Sequence, residues 1–257
     1  MQIYSPWKGC TNLPVIDLHS HLVPCVDDGV QQHSEALSIL GRMELEYGSG
    51  SMVAFTPHFT SYMPSRVTAG RTDSVIRFME GLEERFRLDY ISAGELLVRG
   101  FSLENLERVR YPGTGYVLVE FNSGVTWVET LFHLRRITSR GYRPLLAHPE
   151  RYRWCRGKPD RLIKLSLLGC GTLASARSLR YPMYAGTVRL LLEKGLVHAI
   201  ASDVHSASDP ILSAELKSEL KDLSRVPWED LTYHLPSIIL DDAVLPTLPL
   251  SGRQVGA

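Results

Sequence analysis

His19 and His21, two residues apart in DLHSH, open a series of side chains of the types that ligate metal ions. Asp28 follows in VDDG, His58 in TPH, Glu95 in AGE, Glu120 in VEF, His148 in AHPER, and Asp203 with His205 in ASDVH. In an extended HxH the two imidazoles leave the same side of the chain about 7 Å apart, which suits two ligands on one ion. The same arithmetic applies to Asp203 and His205, although a bend after the strand would aim them at different ions. Five histidines and four carboxylates exceed the needs of one tetrahedral zinc. They suit a cluster of two or three divalent ions bridged by carboxylate and hydroxide. Without a cation, carboxylates gathered in one place repel one another, which weighs against a coincidental cluster. Arg151, three residues beyond His148, brings a guanidinium within reach of a phosphoryl group, with pairing to Glu150 or a surface carboxylate as its alternative role. Arg153, Arg156, Lys158 and Arg161 read as a solvated loop. Cys155 and Arg161 match the Cys-x5-Arg spacing of cysteine-dependent tyrosine phosphatases, but the intervening RGKPD offers no strand-to-helix anion nest, and that reading is rejected.

Positioning these residues requires elements that end close together. Short apolar, β-branched runs predict strands at 15–19, 52–56, 90–93, 116–121, 145–148, 172–175 and 197–202. Helical spacing predicts helices at 34–48, 74–88, 127–141, 160–169 and 185–195, three of them ending at Gly141, Gly169 and Gly195, where a left-handed cap costs least. Seven β/α alternations imply a mainly parallel sheet covered by helices, wound open or closed as a barrel. Nearly all the candidate ligands fall at or just after the carboxyl ends of these strands, where parallel α/β folds build their sites. The whole chain, 1–257, reads as one domain, with a core over about 14–223 and a proline-dotted, less periodic appendage over about 224–257.

Composition narrows the class further. With 28 basic and 28 acidic residues the formal net charge is zero, so there is no global field of the kind that gathers nucleic acid. Six of the 28 basic residues are lysine, leaving 22 arginines; arginine suits planar phosphate recognition, but a GC-rich genome produces the same bias. The four cysteines, Cys10, Cys25, Cys155 and Cys170, form no CxxC pair and read as reduced structural thiols. No apolar run approaches the roughly 20 residues of a membrane span, and the opening MQIYSPWKGCTNLP has no export-signal pattern, so a cytoplasmic location is expected.

Taken in order over residues 14–206, DLHSHLVPCVDDGV, TPHF, AGE, VEF, AHPERY and ASDVHS resemble the manganese-dependent bacterial tyrosine-protein phosphatases of the polymerase-and-histidinol-phosphatase (PHP) class, which act on capsule and exopolysaccharide tyrosine kinases. PSIILDDAVLP is a weaker echo. The resemblance implies a distorted seven-stranded (β/α)7 barrel holding three metals. His19, His21, Glu95 and Asp203 would surround one ion; Glu95 would bridge to a second held by Glu120 and His148; Asp28, His58 and His205 would hold the third. It implies Mn2+, with Fe, Co and Zn as alternatives. Arg151 would orient the phosphate and, with His58 and Asp28, make up the catalytic set. The expected partner is a phosphotyrosine protein, the tail of a bacterial tyrosine kinase, with self-association left open. The chain departs from the family pattern at Phe59, where a second histidine is common, and at LASARS, where an asparagine is usual. The competing readings are another phosphoesterase of the class, such as a histidinol phosphatase or nuclease, or a non-catalytic phosphopeptide binder.

Overall fold

The computed structural model describes residues 13–82, 84–100 and 102–251; Cys10 and most of the leading stretch read for an export signal lie outside them. The strands are β1 (Ile16–Ser20), β2 (Ser51–Phe55), β3 (His58–Thr60), β4 (Leu88–Ser92), β5 (Glu95–Leu97), β6 (Tyr116–Glu120), β7 (Arg143–Ala147), β8 (Gly171–Ser175) and β9 (Ala199–Ala201). The α-helices are α1 (His33–Tyr47), α2 (Ser65–Glu80), α3 (Leu106–Val109), α4 (Trp127–Thr138), α5 (Arg153–Gly157), α6 (Arg161–Ser166), α7 (Pro182–Glu193), α8 (Ala214–Leu220) and α9 (Leu235–Leu240). Every strand pairing is parallel, in two sheets ordered β1-β2-β4 and β3-β5-β6-β7-β8-β9. The sheets are continuous through the chain, since β2 runs on into β3 and β4 into β5 after two-residue interruptions. They also meet where Ser20 bridges Val204, and where Asp203 N donates to His19 O (2.9 Å).

Both faces of most strands are buried, as a parallel sheet between layers requires. Alternation sorts the two faces. Val53, Val117, Leu146 and Ile200 pack against the helices, whereas their neighbours Ala54, Leu118, Leu145 and Ala199 form a separate apolar cluster with Leu18 and Leu173. The three predicted glycine caps are left-handed, with φ of 84°, 76° and 63° at Gly141, Gly169 and Gly195.

Two expectations need correction. The helix predicted over 74–88 lies at Ser65–Glu80, because the polar run SRVTAGRTDS begins it after Pro64 without apolar periodicity, and the chain turns after Gly81 to enter β4. The basic segment after Arg151, read as a solvated loop, is a 3-10 turn (Pro149–Arg151) followed by α5 and α6, with Trp154 and Cys155 buried. The C-terminal segment read as an appendage carries a π-helical turn (Asp230–His234) and α9, and it buries Leu231, Leu235 and Ile239. Ile239 joins the inner cluster, while Asp242 accepts from Gly115 N and pairs with Arg143. No helix among the described residues is long and apolar enough to cross a membrane.

The Ile239→Ala variant is expected to lose about 2–5 kcal/mol of stability in urea denaturation, because a fully buried side chain leaves a cavity beneath the strands. A change within about 0.5 kcal/mol, typical of exposed positions, would mean that the C-terminal segment is not integral to the fold.

Candidate metal centre

The nine candidate ligands and Arg151 converge at the carboxyl ends of the strands. Glu95, fully buried at the start of β5, is the hub: its carboxylate lies 3.5 Å from His19 Nε2, 3.3 Å from His21 Nε2, 3.0 Å from His58 Nδ1 and 2.6 Å from His148 Nε2. The register that pairs His58 with Glu95 across β3 and β5 puts those two side by side. Glu120, at the end of β6, lies 3.1 Å from His58 Nδ1 and 3.8 Å from His148 Nε2. Asp203 Oδ1 lies 3.3 Å from His19 Nε2, and the more exposed Asp28 lies 3.2 Å from His58 Nε2 and 3.6 Å from His205 Nε2. Three sets have ligand atoms within 4.8 Å of one another: His19, His21 and Glu95; His58, Glu95 and Glu120; and His21, Asp28, His58 and His205.

Backbone geometry aims these groups. Strand alternation would leave His19 on the helix side with Asp17, but the register shifts between Asp17 and Ser20, and His19 turns to face Glu95. His148 and Asp203 both adopt left-handed φ, 33° and 54°, at the points where β7 and β9 stop. The bend at Asp203 gives the DxH pair different neighbours: Asp203 faces His19 and Arg151, while the His205 ring stacks on His21 with centroids 4.0 Å apart, its Nδ1 staying 3.5 Å from Asp203 Oδ1. Gly29 of VDDG leaves no room for any side chain, since a Cβ there would stand 2.2 Å from His21 O.

A second set of residues holds the rings, and motif reading had not singled them out. His19 Nδ1 bonds Thr56 Oγ1 (2.6 Å) in the gap between β2 and β3; His21 Nδ1 bonds Asp27 (2.7 Å), which also accepts from His58 N; His205 Nδ1 bonds Asp203 O (2.8 Å). With each Nδ1 so engaged, Nε2 of His19 and His21 points inward, the arrangement that metal-binding histidines use. Asp17 accepts from Tyr47 Oη (2.9 Å) and Ser202 N (2.9 Å), tying the strand before His19 to the segment before Asp203. The first Asp of VDDG and the Asp of DLHSH lie within the motifs themselves, so their spacing was the available signal.

Charge is finely balanced. Burial opposes protonation of His19, yet Glu95 and Asp203 beside it push its pKa up to about 10; Glu95 likewise drives His58 upward. Glu95 itself is held well below the carboxylate range, against burial, by the charges of His19, His148 and His58. Asp28 is lowered to about 2, first by its hydrogen bond with His58. His205, surrounded differently, is pushed down to about 4 by burial and by neighbouring His21. Five inward atoms, Nε2 of His19 and His21, Nδ1 of His58, Oε2 of Glu95 and Oδ1 of Asp203, are buried without a hydrogen-bond partner. Buried polar atoms in this condition are rare, and a cluster of cations would satisfy them.

The cluster opens on a pocket of about 320 Å³, lined by Asp28, His58, Glu120, His148, Arg151, Tyr152, Arg177, Tyr184 and His205 among others. Arg151 is held there by Asp203 and by Ser175 and Ser178 (3.3 Å each), rather than by Glu150. Cys155 is fully buried and its thiol is pushed upward by burial, which leaves no thiolate nucleophile; Arg161 lies over the Trp127 ring at 5.2 Å. Phe59 is buried in the apolar core and does not line the pocket.

The Tyr47→Phe variant is expected to cost about 1–3 kcal/mol in chemical denaturation, because it strips one hydrogen bond from buried Asp17 and one acceptor from Leu212 N. Unchanged stability would show that this clamp contributes nothing to holding the two ligand-bearing segments.

A family model described as "Capsular polysaccharide synthesis, CpsB/CapC" matches residues 15–232. The chain is 28% identical over 229 residues to the tyrosine-protein phosphatase CpsB of Streptococcus agalactiae, covering 82% of this chain and 92% of that protein. It is 27% identical over 202 residues to the tyrosine-protein phosphatase YwqE of Bacillus subtilis, covering 75% and 78% respectively. A solved structure from work on YwqE of Bacillus subtilis and CpsB of Streptococcus pneumoniae, described as unique metal-dependent tyrosine phosphatases, superposes with a TM-score of 0.73 at 23% identity. It covers 92% of this chain and 98% of that one, a likeness of fold.

Proposed function

The chain belongs to the CpsB/CapC family of capsular polysaccharide synthesis, and from that premise we propose that it is a metal-dependent protein-tyrosine phosphatase. The observation that carries the reading is the set of five buried nitrogen and oxygen atoms without a hydrogen bond that converge beneath a pocket that also holds Arg151. The donor set fits hard-to-borderline divalent ions. His19, His21, Glu95 and Asp203 would hold one, Glu95, Glu120 and His148 a second, and Asp28, His58 and His205 a third, with Mn2+ as the proposed metal.

Bound ions supply Lewis acidity toward phosphoryl oxygens and an activated water. The protein's own groups do the rest. Arg151, fixed by Asp203, Ser175 and Ser178, orients the phosphoryl group. His58 and Asp28, 3.2 Å apart on the solvent side of the cluster, would act in the catalytic set as ligands, presenting the third ion at the pocket mouth. The phenolate leaving group, with a parent pKa of about 10, needs less protonation than an alkoxide. The substrate is proposed to be a phosphotyrosine protein, the tail of a bacterial tyrosine kinase in capsule or exopolysaccharide synthesis, and the location cytoplasmic. The two sheets are read as a distorted seven-stranded barrel of the polymerase-and-histidinol-phosphatase type, in which β2 with β3 and β4 with β5 count as one strand each. The whole chain is read as a single domain, its C-terminal segment packed under the strands.

The test is phosphate release from a phosphotyrosyl peptide with Mn2+ and after chelation, alongside phosphoserine and histidinol phosphate. Chelator-sensitive release favouring phosphotyrosine is expected, falling more than about a hundredfold in His148→Ala and Glu95→Gln. Preference for histidinol phosphate would replace the substrate, and metal-independent release would overturn the reading.

Proton linkage provides a second check. In the ion-free protein His19 and His58 are protonated at neutral pH, and metal ligands must be deprotonated. Mn2+ affinity should therefore rise by about tenfold per pH unit for each proton displaced, with protons released on binding. Calorimetric titration at pH 6 and pH 8 in buffers of different ionisation enthalpy measures both. The sign reverses for stability without metal: the raised His19 contributes fully below pH 6.5, and that contribution fades as pH climbs toward 10.

A further inference from the structure

The pocket contains a second guanidinium that neither the ligand set nor Arg151 accounts for. Arg177 begins the 3-10 turn Arg177–Arg180 directly after β8, in the segment LASARS, and its backbone N donates to Ser202 O (3.1 Å), the residue before Asp203. Its position is thus fixed by the same stretch that carries Asp203 and His205. The next residue, Ser178, holds Arg151 Nε, so the two arginines are set by adjacent residues of one turn and line one pocket.

Arg151 is largely committed: Nε serves Ser178, and Nη2 serves Ser175 and Asp203, which leaves only the two Nη1 protons of its five donors. Arg177 is less committed. Its Nε faces Asp209 Oδ2 as an ion pair at 3.3 Å, whereas its two Nη groups make no hydrogen bond among the described residues. Asp209 is already occupied, with Oδ2 accepting from His205 N (2.9 Å), Ser206 N (3.0 Å) and Ser206 Oγ (3.2 Å), and Oδ1 from Arg180 (2.6 Å). One carboxylate shared between two guanidinium groups leaves uncompensated positive charge on this wall of the pocket. The Tyr181 ring lies 5.8 Å from the Arg177 guanidinium and backs it.

We propose that Arg177 is a second phosphate-binding residue, engaging the non-bridging oxygens of the substrate phosphoryl group together with Arg151. This rests on the phosphomonoesterase reading above. A dianionic phosphoryl group has three such oxygens, more acceptor capacity than the two remaining donors of Arg151 satisfy, and a guanidinium fork matches it in shape and charge.

The experiment compares Arg177→Gln, Arg177→Lys and Arg180→Gln as Mn2+-loaded proteins, with metal content measured for each. Binding of inorganic phosphate is read by calorimetry, and KM and kcat are read on the phosphotyrosyl peptide. Arg177→Gln is expected to weaken phosphate binding and raise KM by roughly tenfold to a hundredfold at unchanged metal content, with partial recovery in Arg177→Lys. If Arg177 acted only by steadying Asp209 and the loop of His205, Arg180→Gln would produce the same loss, and that result overturns the proposal. Wild-type phosphate affinity in Arg177→Gln also overturns it. Failure of the wild-type protein to hydrolyse phosphotyrosine would instead overturn the proposed activity, while phosphate binding still decides the role of Arg177.

Discussion

A carboxylate with no exposure to water, Glu95, sets the terms for the rest of the molecule. An ion of that size taken out of water costs several kcal/mol unless charge and hydrogen bonds surround it. Here four imidazoles do so, from His19, His21, His58 and His148, contributed by β1 and its extension, β3 and the end of β7. None of those four segments can move independently of the others without leaving a charge stranded. The strand register, the breaks after Phe55 and Ser92, and the left-handed turn at His148 are all ways of bringing nitrogen atoms to one carboxylate.

That convergence has structural costs. Left-handed backbone at His148 and Asp203 costs of order 1–3 kcal/mol each, and five inward polar atoms have only ion-pair contacts with one another and no well-formed hydrogen bond. The compensation is spread through the surrounding layer: Thr56 and Asp27 fix two imidazoles, Asp17 joins the segments before His19 and Asp203, and Tyr47 locks α1 to Asp17. The apolar cluster on the inner strand faces, with Ile239 against it, supplies burial directly beneath the polar site. A scaffold of this kind trades stability for an arrangement of donors, which is the pattern expected where sites are built.

How much of this was legible in the sequence depends on the physics behind each feature. Strand positions were readable because buried parallel strands are short apolar runs, and seven of them were found within a few residues of their places. The gathering of His19, His21, Asp28, His58, Glu95, Glu120, His148, Asp203 and His205 was readable because parallel strands all end on one side. The short strands β3 and β5 were not, since their residues carry site chemistry instead of β pattern. Helix α2 was misplaced because its first turns bury only Thr68, and α9 was not read because the prolines around it hide the periodicity that Leu235 and Ile239 would otherwise show. Arg177 was invisible for another reason: in a chain with 22 arginines, only geometry distinguishes one with unspent donors.

The distribution of charge around the pocket bears on how a phosphoryl group is received on the proposed reading. Glu120 and Asp28 line it, Glu95 and Asp203 lie buried among the ligands beneath, and Arg151 and Arg177 line it too. A phosphoryl dianion approaching the bare cluster would meet carboxylates whose charge is offset by protonated histidines and, at Asp203, by Arg151. Those protons lie on the same nitrogens that would face the ions, so they do not coexist with bound metal. Divalent ions held by these ligands would replace single proton charges with double ones and make the floor more positive toward an anion. The two arginines lining the pocket, charged at every physiological pH, would then set the orientation of the phosphoryl group.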